Sequence, residues 1–526
     1  MTTYPTIKAM FEAAVQRRPD GVFIRYFDAG LTYSEVDRLS DAFAAGLQAH
    51  GFAHGDRLCA QMQSVPQAII AMVAVWKLGG VFVPMNPMYK ARESGLILRD
   101  AEPKVFLAEP QLLVEVYSQL DEDVPRPGLV LSALASEYAH VDPRVAPTAA
   151  LEAPYGDMAD FIRTYDGRKP VPVEVLPDDL GSLIYTSGTT GLPKGAMGTQ
   201  RGLALGGELA RVSHDLDEYA AVLTLAPLFH VSGVVMSVAL AMHAAATVII
   251  TYRFNPDVIV ETIRDHTPQV SAGSITAFIA IMNAPDATPE TIAKLRTPMS
   301  GGAPVPAPVA DAYKARYGVA LRTGYGLTET TGAAFMEPLS EPRRVDPATG
   351  SLSVGKVLPT FEVDIVDDEG RLLPAGQPGE VVFRGPAVSP GYWRKPEETA
   401  EAMRSDGFYS GDVGFFDQDG WLYLIDRKKD VIIAGGYKVW PREVEDVIYA
   451  HPSVREVAVI GAADAYRGET VKAVLSLKPN CTITIDEILT HCRDRLAAYK
   501  VPRVIDVIAD LPKNPGGKIL RRALRD

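Results

Sequence analysis

Between Tyr185 and Gly195 the chain reads Tyr-Thr-Ser-Gly-Thr-Thr-Gly-Leu-Pro-Lys-Gly, directly after the apolar pair Leu183-Ile184. Four hydroxyls (Thr186, Ser187, Thr189, Thr190), three glycines (Gly188, Gly191, Gly195) and Lys194 fall within these eleven residues. Glycines let backbone N–H groups turn toward an anion, hydroxyls donate further hydrogen bonds, and a lysine brings a mobile positive charge. That is the chemistry of a loop that holds phosphate. It is not a Walker A loop, because Lys194 is preceded by Leu-Pro and followed by glycine rather than by Ser or Thr. A plain Ser/Thr/Gly surface loop would need neither Lys194 nor Pro193.

Four more segments combine groups with similar capabilities: Gly324-Tyr325-Gly326-Leu327-Thr328-Glu329, Tyr409-Ser410-Gly411-Asp412, Asp426-Arg427-Lys428-Lys429-Asp430, and Pro512-Lys513-Asn514-Pro515-Gly516-Gly517-Lys518. Each alone has an ordinary reading, as a strand-end turn, a solvated charge or an exposed lysine near a chain end. Together, in this order, they resemble the motifs of the adenylate-forming superfamily. That group comprises acyl-CoA and aryl-CoA synthetases, firefly luciferase and peptide-synthetase adenylation domains. The similarity covers nearly the whole chain and is closest in type to fatty-acid– or aryl–CoA ligases.

The resemblance implies roles. Thr186 to Gly191 and Lys194 would hold phosphate, with Thr186 and Lys194 close to the chemistry. Thr323 to Thr328 would embrace the nucleotide, Tyr325 offering a flat face to adenine and Thr328 a hydroxyl to phosphate. Gly301, Gly302, Ala303 and Pro304, a stretch with no bulky side chain before the proline, would form the other wall of the adenine slot. Glu329 would bind Mg²⁺, a hard cation that prefers oxygen ligands. Asp412 would accept both ribose hydroxyls, since a carboxylate offers paired acceptors for a vicinal diol, and Arg427 would donate to the same sugar. Lys518 would bridge carboxylate and α-phosphate, where negative charges meet. Lys429 would be the hinge on which a small domain rotates, and Gly435 and Gly436 would then line the channel for the CoA thiol. His230, after Ala226-Pro227-Leu228-Phe229, would gate an acyl pocket built from Ser232, Met236, Phe278, Gly332 and Ala333. Nothing in that set supplies a fixed cation for a second carboxylate, although Arg322 leaves one open.

The expected activity is therefore ATP-dependent carboxylate–CoA ligation through acyl-AMP, with a fatty or related apolar acid as substrate. An aryl or cinnamic acid, an enzyme loading a separate carrier protein, and a catalytically silent nucleotide-binding protein are the alternatives. The expected small molecules are ATP, Mg²⁺, CoA and the carboxylic acid, and a homodimer stays open.

Composition narrows the class. A length of 526 residues exceeds what one core usually supports. With 52 basic and 65 acidic residues the net charge is −13, which argues against nucleic acid as a partner. Three cysteines, Cys59, Cys481 and Cys492, lack metal-ligand spacing and cannot all pair, which suits a reducing cytoplasm. The longest apolar stretch, Gly233 to Ile250, is interrupted by His243; it reads as a buried helix running into a strand, so no integral membrane segment is expected.

The elements that must position these groups are legible in outline. Thr32-Tyr33-Ser34-Glu35 has capping-box spacing, followed by Val36, Leu39, Phe43 and Leu47 at helical intervals. Ala68–Leu78 reads as a helix stopped by Gly79-Gly80, and Val81–Pro84 and Val105–Leu107 as strands with a helix from Ala91 to Asp100 between them. This alternation predicts α/β subdomains with largely parallel sheet. Residues 143–179 read as a loop. Short alternating strands from about residue 354 to 425 predict a β-rich subdomain within a large domain of residues 1–426. A small mobile α+β domain, residues 427–526, would follow.

Overall fold

The computed structural model describes residues 3–146, 155–187, 193–347, 350–434, 437–464, 468–513 and 518–525. Local signals act as expected at the start. Thr32 accepts from the Glu35 N–H while Glu35 accepts from the Thr32 N–H, and helix Tyr33–Ala49 buries Val36, Phe43 and Leu47. Helix Pro66–Lys77 is apolar apart from Gln67 and Lys77 and is buried at every residue, as a helix held between layers must be. Gly79 then turns the chain at φ +64°, and strand Val81–Met85 is again wholly buried.

Two large sheets follow from this pattern. One has seven strands, ordered Gly156–Asp157, Leu129–Ser132, Val105–Ala108, Arg57–Gln61, Val81–Met85, Leu180–Ser187 and Pro193–Thr199. Only its last pair is antiparallel. The other has nine strands, and the six in its middle, from Arg322–Leu327 to Val22–Tyr26, run parallel. Parallel strands covered on both faces need continuous apolar runs, which Val105–Ala108 and Thr247–Ile250 supply.

The third sheet is antiparallel. It pairs Glu362–Val366, Gly379–Arg384, Gly407–Phe416, Met403–Arg404 and Leu422–Arg427, and sets Asp412 directly across from Arg427. After the 3₁₀ turn Lys428–Asp430 the chain enters a fourth sheet that begins at Ile432. Its own core includes Val439, Val444, Ile448, Val459, Leu475 and Ile488, from the sheet and from helices Pro441–Tyr449 and Ile485–Arg493.

Two segments differ from the sequence expectation. Residues 143–179 are not all loop: helix Met158–Thr164 starts on Asp157, whose carboxylate accepts from the Ala159 and Asp160 N–H groups. Seven residues carry too little periodicity to announce a helix; tertiary packing sustains it, with Phe161 so close to Gly46 that a Cβ there would stand 2.4 Å from the ring. The apolar run after His230 is helical, but Val234–Ala239 widens into a π-turn before helix Leu240–Ala244 and strand Thr247–Ile250. No helix among the described residues is long and apolar enough to cross a membrane. The three cysteines are free, and Cys59 and Cys492 are buried.

Candidate active site

Four of the chemistry-bearing segments leave the carboxyl ends of strands in the two large, mostly parallel sheets, where open α/β sheets bind ligands. Strand Leu180–Ser187 ends in the expected phosphate loop. Strand Thr297–Ser300 runs into Gly301, strand Ala221–Thr224 toward His230, and strand Arg322–Leu327 into Glu329. Ser300 lies beside Thr323 in register, so the Gly301–Pro304 segment emerges next to Gly324. A Cβ at Gly301 would stand 3.2 Å from the Gly324 carbonyl, so these two walls touch through backbone. Gly326 is more constrained, since its Cβ would meet the Gly332 carbonyl at 2.0 Å.

A cleft of about 760 Å³ opens above these strand ends, with Thr186, Lys194, His230, Glu329, Arg427 and Lys518 among the residues lining it. Thr186 and Lys194 face each other across the hairpin that closes the seven-stranded sheet. The tip of that hairpin, with Gly188, Thr189, Thr190 and Gly191, lies outside the described residues, and Ser187 is its last described backbone position before the tip. Leu327 and Thr328 line the cleft beside Glu329.

Glu329 sits in the 3₁₀ turn Thr328–Thr330 and is 8% exposed. Its Oε1 accepts from the Tyr392 phenol at 2.6 Å. The Lys194 ammonium lies 5.4 Å from the centroid of the same tyrosine ring. On the third sheet, Asp412 accepts from the Tyr325 phenol at 2.6 Å and pairs with Arg427 Nε at 3.2 Å. Burial works against the Arg427 charge, but Asp412 and the neighbouring acidic groups outweigh it and raise the guanidinium pKa. The Tyr325 ring is packed beside Phe335 and Phe383.

Lys518 enters from the far end of the chain. Its side chain is exposed to the water of the cleft, yet the protein crowded around it, and then the Arg427 charge, push its pKa down to about 8. Behind it Arg521 bonds Asp426 at 2.9 Å and Glu445 at 2.8 Å, and approaches Asp430 at 3.5 Å. One arginine thus joins the end of the third sheet, the turn after it and helix Pro441–Tyr449.

On the apolar side, Phe229 and His230 line the cleft, and burial lowers the His230 pKa, favouring the neutral imidazole. Met236 is buried in the π-turn and Ser232 in part, in the turn just before it. Gly332 adopts φ +112° and adjoins Ala333, and a Cβ on it would stand 3.0 Å from Val235. Three expectations are corrected here. Phe278 is fully buried in a separate apolar cluster, edge-on to Tyr313, so it is core rather than acyl pocket. Thr323 is buried and its hydroxyl donates to the Ser353 carbonyl, which leaves nothing to offer a nucleotide. Arg322 is buried and donates through Nη1 and Nη2 to the Ser213 and Glu337 carbonyls, and burial pushes its pKa down to about 10. Gly435 and Gly436 lie outside the described residues.

With this geometry in place, comparison with known proteins is decisive. The sequence pattern of the AMP-binding enzyme family matches residues 11–393, and that of the AMP-binding enzyme C-terminal domain matches residues 443–518. The chain belongs to the AMP-binding enzyme family. A long-chain-fatty-acid–CoA ligase of Bacillus subtilis is 32% identical over 99% of this chain and 94% of its own length. A feruloyl-CoA synthase of an Amycolatopsis species is 34% identical, covering 96% of each chain. The crystal structure of an anthranilate CoA ligase with anthranoyl-AMP superposes with a TM-score of 0.89 at 26% identity, covering 100% of this chain and 97% of that one.

In this AMP-binding enzyme, sequence reasoning missed three side chains that hold the others. Tyr392 touches Glu329 and Lys194. Tyr185, read only as the start of the phosphate run, donates to Asp100 at 2.6 Å and ties the hairpin to helix Ala91–Ala101. Arg521 anchors the segment that carries Lys518. A tyrosine after glycine and an arginine shortly after a Gly-Gly-Lys turn were the available signals, and neither has a spacing that points to its partner.

Proposed function

We propose that this protein is an AMP-forming carboxylic acid–CoA ligase. A carboxylate attacks the α-phosphate of ATP, giving acyl-AMP and pyrophosphate, and the CoA thiol then displaces AMP to give a thioester. The observation that carries the reading is the meeting of Lys518 with Lys194, Glu329 and Arg427 in one cleft, from four distant parts of the chain. A carboxylate approaching a polyphosphate brings like charges together, and cations held where that charge develops lower the barrier. Lys518 is assigned to the α-phosphate and carboxylate, Lys194 and Thr186 to the phosphate chain, and the Asp412–Arg427 pair to the ribose. A merely silent binder has no use for Lys518 at that position.

Among the described residues no three His, Cys, Asp or Glu side chains converge as a metal cage. A single carboxylate at an open cleft suits Mg²⁺, which binds through one or two carboxylates together with substrate phosphates. Glu329 is the residue that would hold it, and the ion would supply neutralisation of phosphate charge.

We assign residues 1–426 and 427–526 to two bodies that rotate about Lys429 between the two steps. The 3₁₀ turn Lys428–Asp430, lying between the third and fourth sheets, supports this, since a few residues that change φ and ψ suffice for a hinge. Gly435 and Gly436 would then adjoin the pantetheine arm. We place the enzyme in the cytoplasm and infer that a homodimer, if formed, would be seen by sedimentation.

The proposed acid is apolar, fatty in the first instance, because Arg322 donates to carbonyls and Phe229 and Leu327 present apolar surface to the cleft. An aryl acid is the second reading, and the closeness of Val235 to Gly332 favours it by limiting the depth behind the carboxylate. A panel of straight-chain, aryl and dicarboxylic acids, assayed with ATP, Mg²⁺ and CoA for thioester and AMP, tests both. Release of ADP, or thioester only on a carrier protein's pantetheine, would overturn the CoA-ligase assignment.

A further inference from the structure

Residues Ser389 to Trp393 form a strap across the two polar ends of the cleft. Its backbone is sewn to the hairpin that carries Lys194: the Trp393 N–H donates to the Gly195 carbonyl at 2.8 Å and the Met197 N–H to the Gly391 carbonyl at 3.1 Å. The same strap reaches the turn that carries Glu329, where the Ser389 N–H donates to the Glu329 carbonyl at 2.7 Å. Tyr392 lies at the crossing, with its phenol on the Glu329 carboxylate and its ring under the Lys194 ammonium.

From this arrangement we propose that Tyr392 is a positioning residue for adenylation, which holds Glu329 in one rotamer for a divalent cation. Its ring also keeps Lys194 extended toward the phosphates. A carboxylate at the edge of an open cleft would otherwise sample several rotamers, and one short hydrogen bond from a donor fixed by its own strap removes that freedom. Among the described residues Tyr392 bonds one of the two carboxylate oxygens, and Oε2 is left for a ligand. The inference rests on the ligase reading of the cleft, but it can be tested by binding alone.

The test compares ATP affinity by calorimetry with and without Mg²⁺ in the wild type, Tyr392→Phe and Tyr392→Ala. Tyr392→Phe should leave the Mg²⁺-free affinity within about twofold and cut the gain from Mg²⁺ about tenfold, the scale of one hydrogen bond to a charged group. Tyr392→Ala should show the same loss and, without the ring, a further Mg²⁺-independent weakening of about two- to fivefold. In the Glu329→Gln background Tyr392→Phe should add little. The ratio of the two affinities is internal to each variant, so a lower melting temperature by itself does not move it. An unchanged ratio in Tyr392→Phe, or equal losses with and without Mg²⁺, would overturn the proposal. Failure of the wild type to exchange pyrophosphate into ATP with any acid would instead overturn the ligase reading, and the affinity ratios would still decide Tyr392.

Discussion

The two sides of the cleft are held by different forces. Glu329, Asp412 and Tyr325 are buried, on strands Arg322–Leu327 and Gly407–Phe416 or the turn just after the first, and are fixed by hydrogen bonds of 2.6 Å. Lys518 is water-exposed on a segment held by the Leu520 N–H on the Pro512 carbonyl and by the ion pairs of Arg521 with Asp426, Glu445 and Asp430. Hydrogen bonds inside a packed sheet cannot be exchanged without leaving buried groups unpaired. The Arg521 pairs are themselves largely buried, with the Asp426 side chain 4% exposed and that of Glu445 10%, so removing one partner would leave a buried charge uncompensated. One side is thus held within the sheets, and the other is tied back to the third sheet through the Arg521–Asp426 pair.

The sharpest way to break this contrast is Lys518→Ala. Adenylation, followed by single-turnover acyl-AMP formation, should fall about a hundred- to a thousandfold, the cost of losing one aimed electrostatic contact. Thioester formation from supplied acyl-AMP should be nearly unchanged. Near-wild-type adenylation would remove Lys518 from the chemistry.

Arg521→Ala should act on the same side but through position. Adenylation should drop about tenfold, in line with losing charge-assisted hydrogen bonds that hold the segment, while the second step, assayed separately, gains or holds. Equal loss in both steps would mean that Arg521 maintains the fold and does not bias the domain orientation.

The lowered pKa of Lys518 gives a pH test. The ammonium form does the work and loses its proton near pH 8 instead of in the usual lysine range. In the free enzyme, kcat/KM for adenylation should therefore be flat below pH 8 and fall about tenfold per unit above it. Lys518→Arg stays charged across this range and should lack that limb, however slow it is. An alkaline limb that persists in Lys518→Arg would belong to another group.

The smallest expected effect is on specificity. Phe278→Leu removes volume from a fully packed site and should lower stability by about 1–2 kcal/mol, and leave the ranking of acids within about twofold. Gly332→Trp should shift the preferred acid to a shorter one, since Val235 leaves no room behind a side chain there. A changed ranking in Phe278→Leu would return that residue to the pocket.

What the sequence determined by itself was whatever depends on neighbours along the chain. The capping box at Thr32, the buried run Pro66–Lys77, the strands before Lys194 and Glu329 and the change to short antiparallel strands after Val354 are local patterns of period and turn chemistry. The order of the motifs carried the family and with it the reaction. Tertiary structure decided what those patterns cannot encode. Phe278 and Thr323 have the right types for a site, but their strands and helices turn them into the core. Tyr392, Arg521 and Tyr185 look unremarkable in sequence and become anchors because their partners, Glu329, Asp426 and Asp100, arrive from elsewhere in the chain. A hydrogen bond between distant residues leaves no periodic trace, so only the folded chain reveals it.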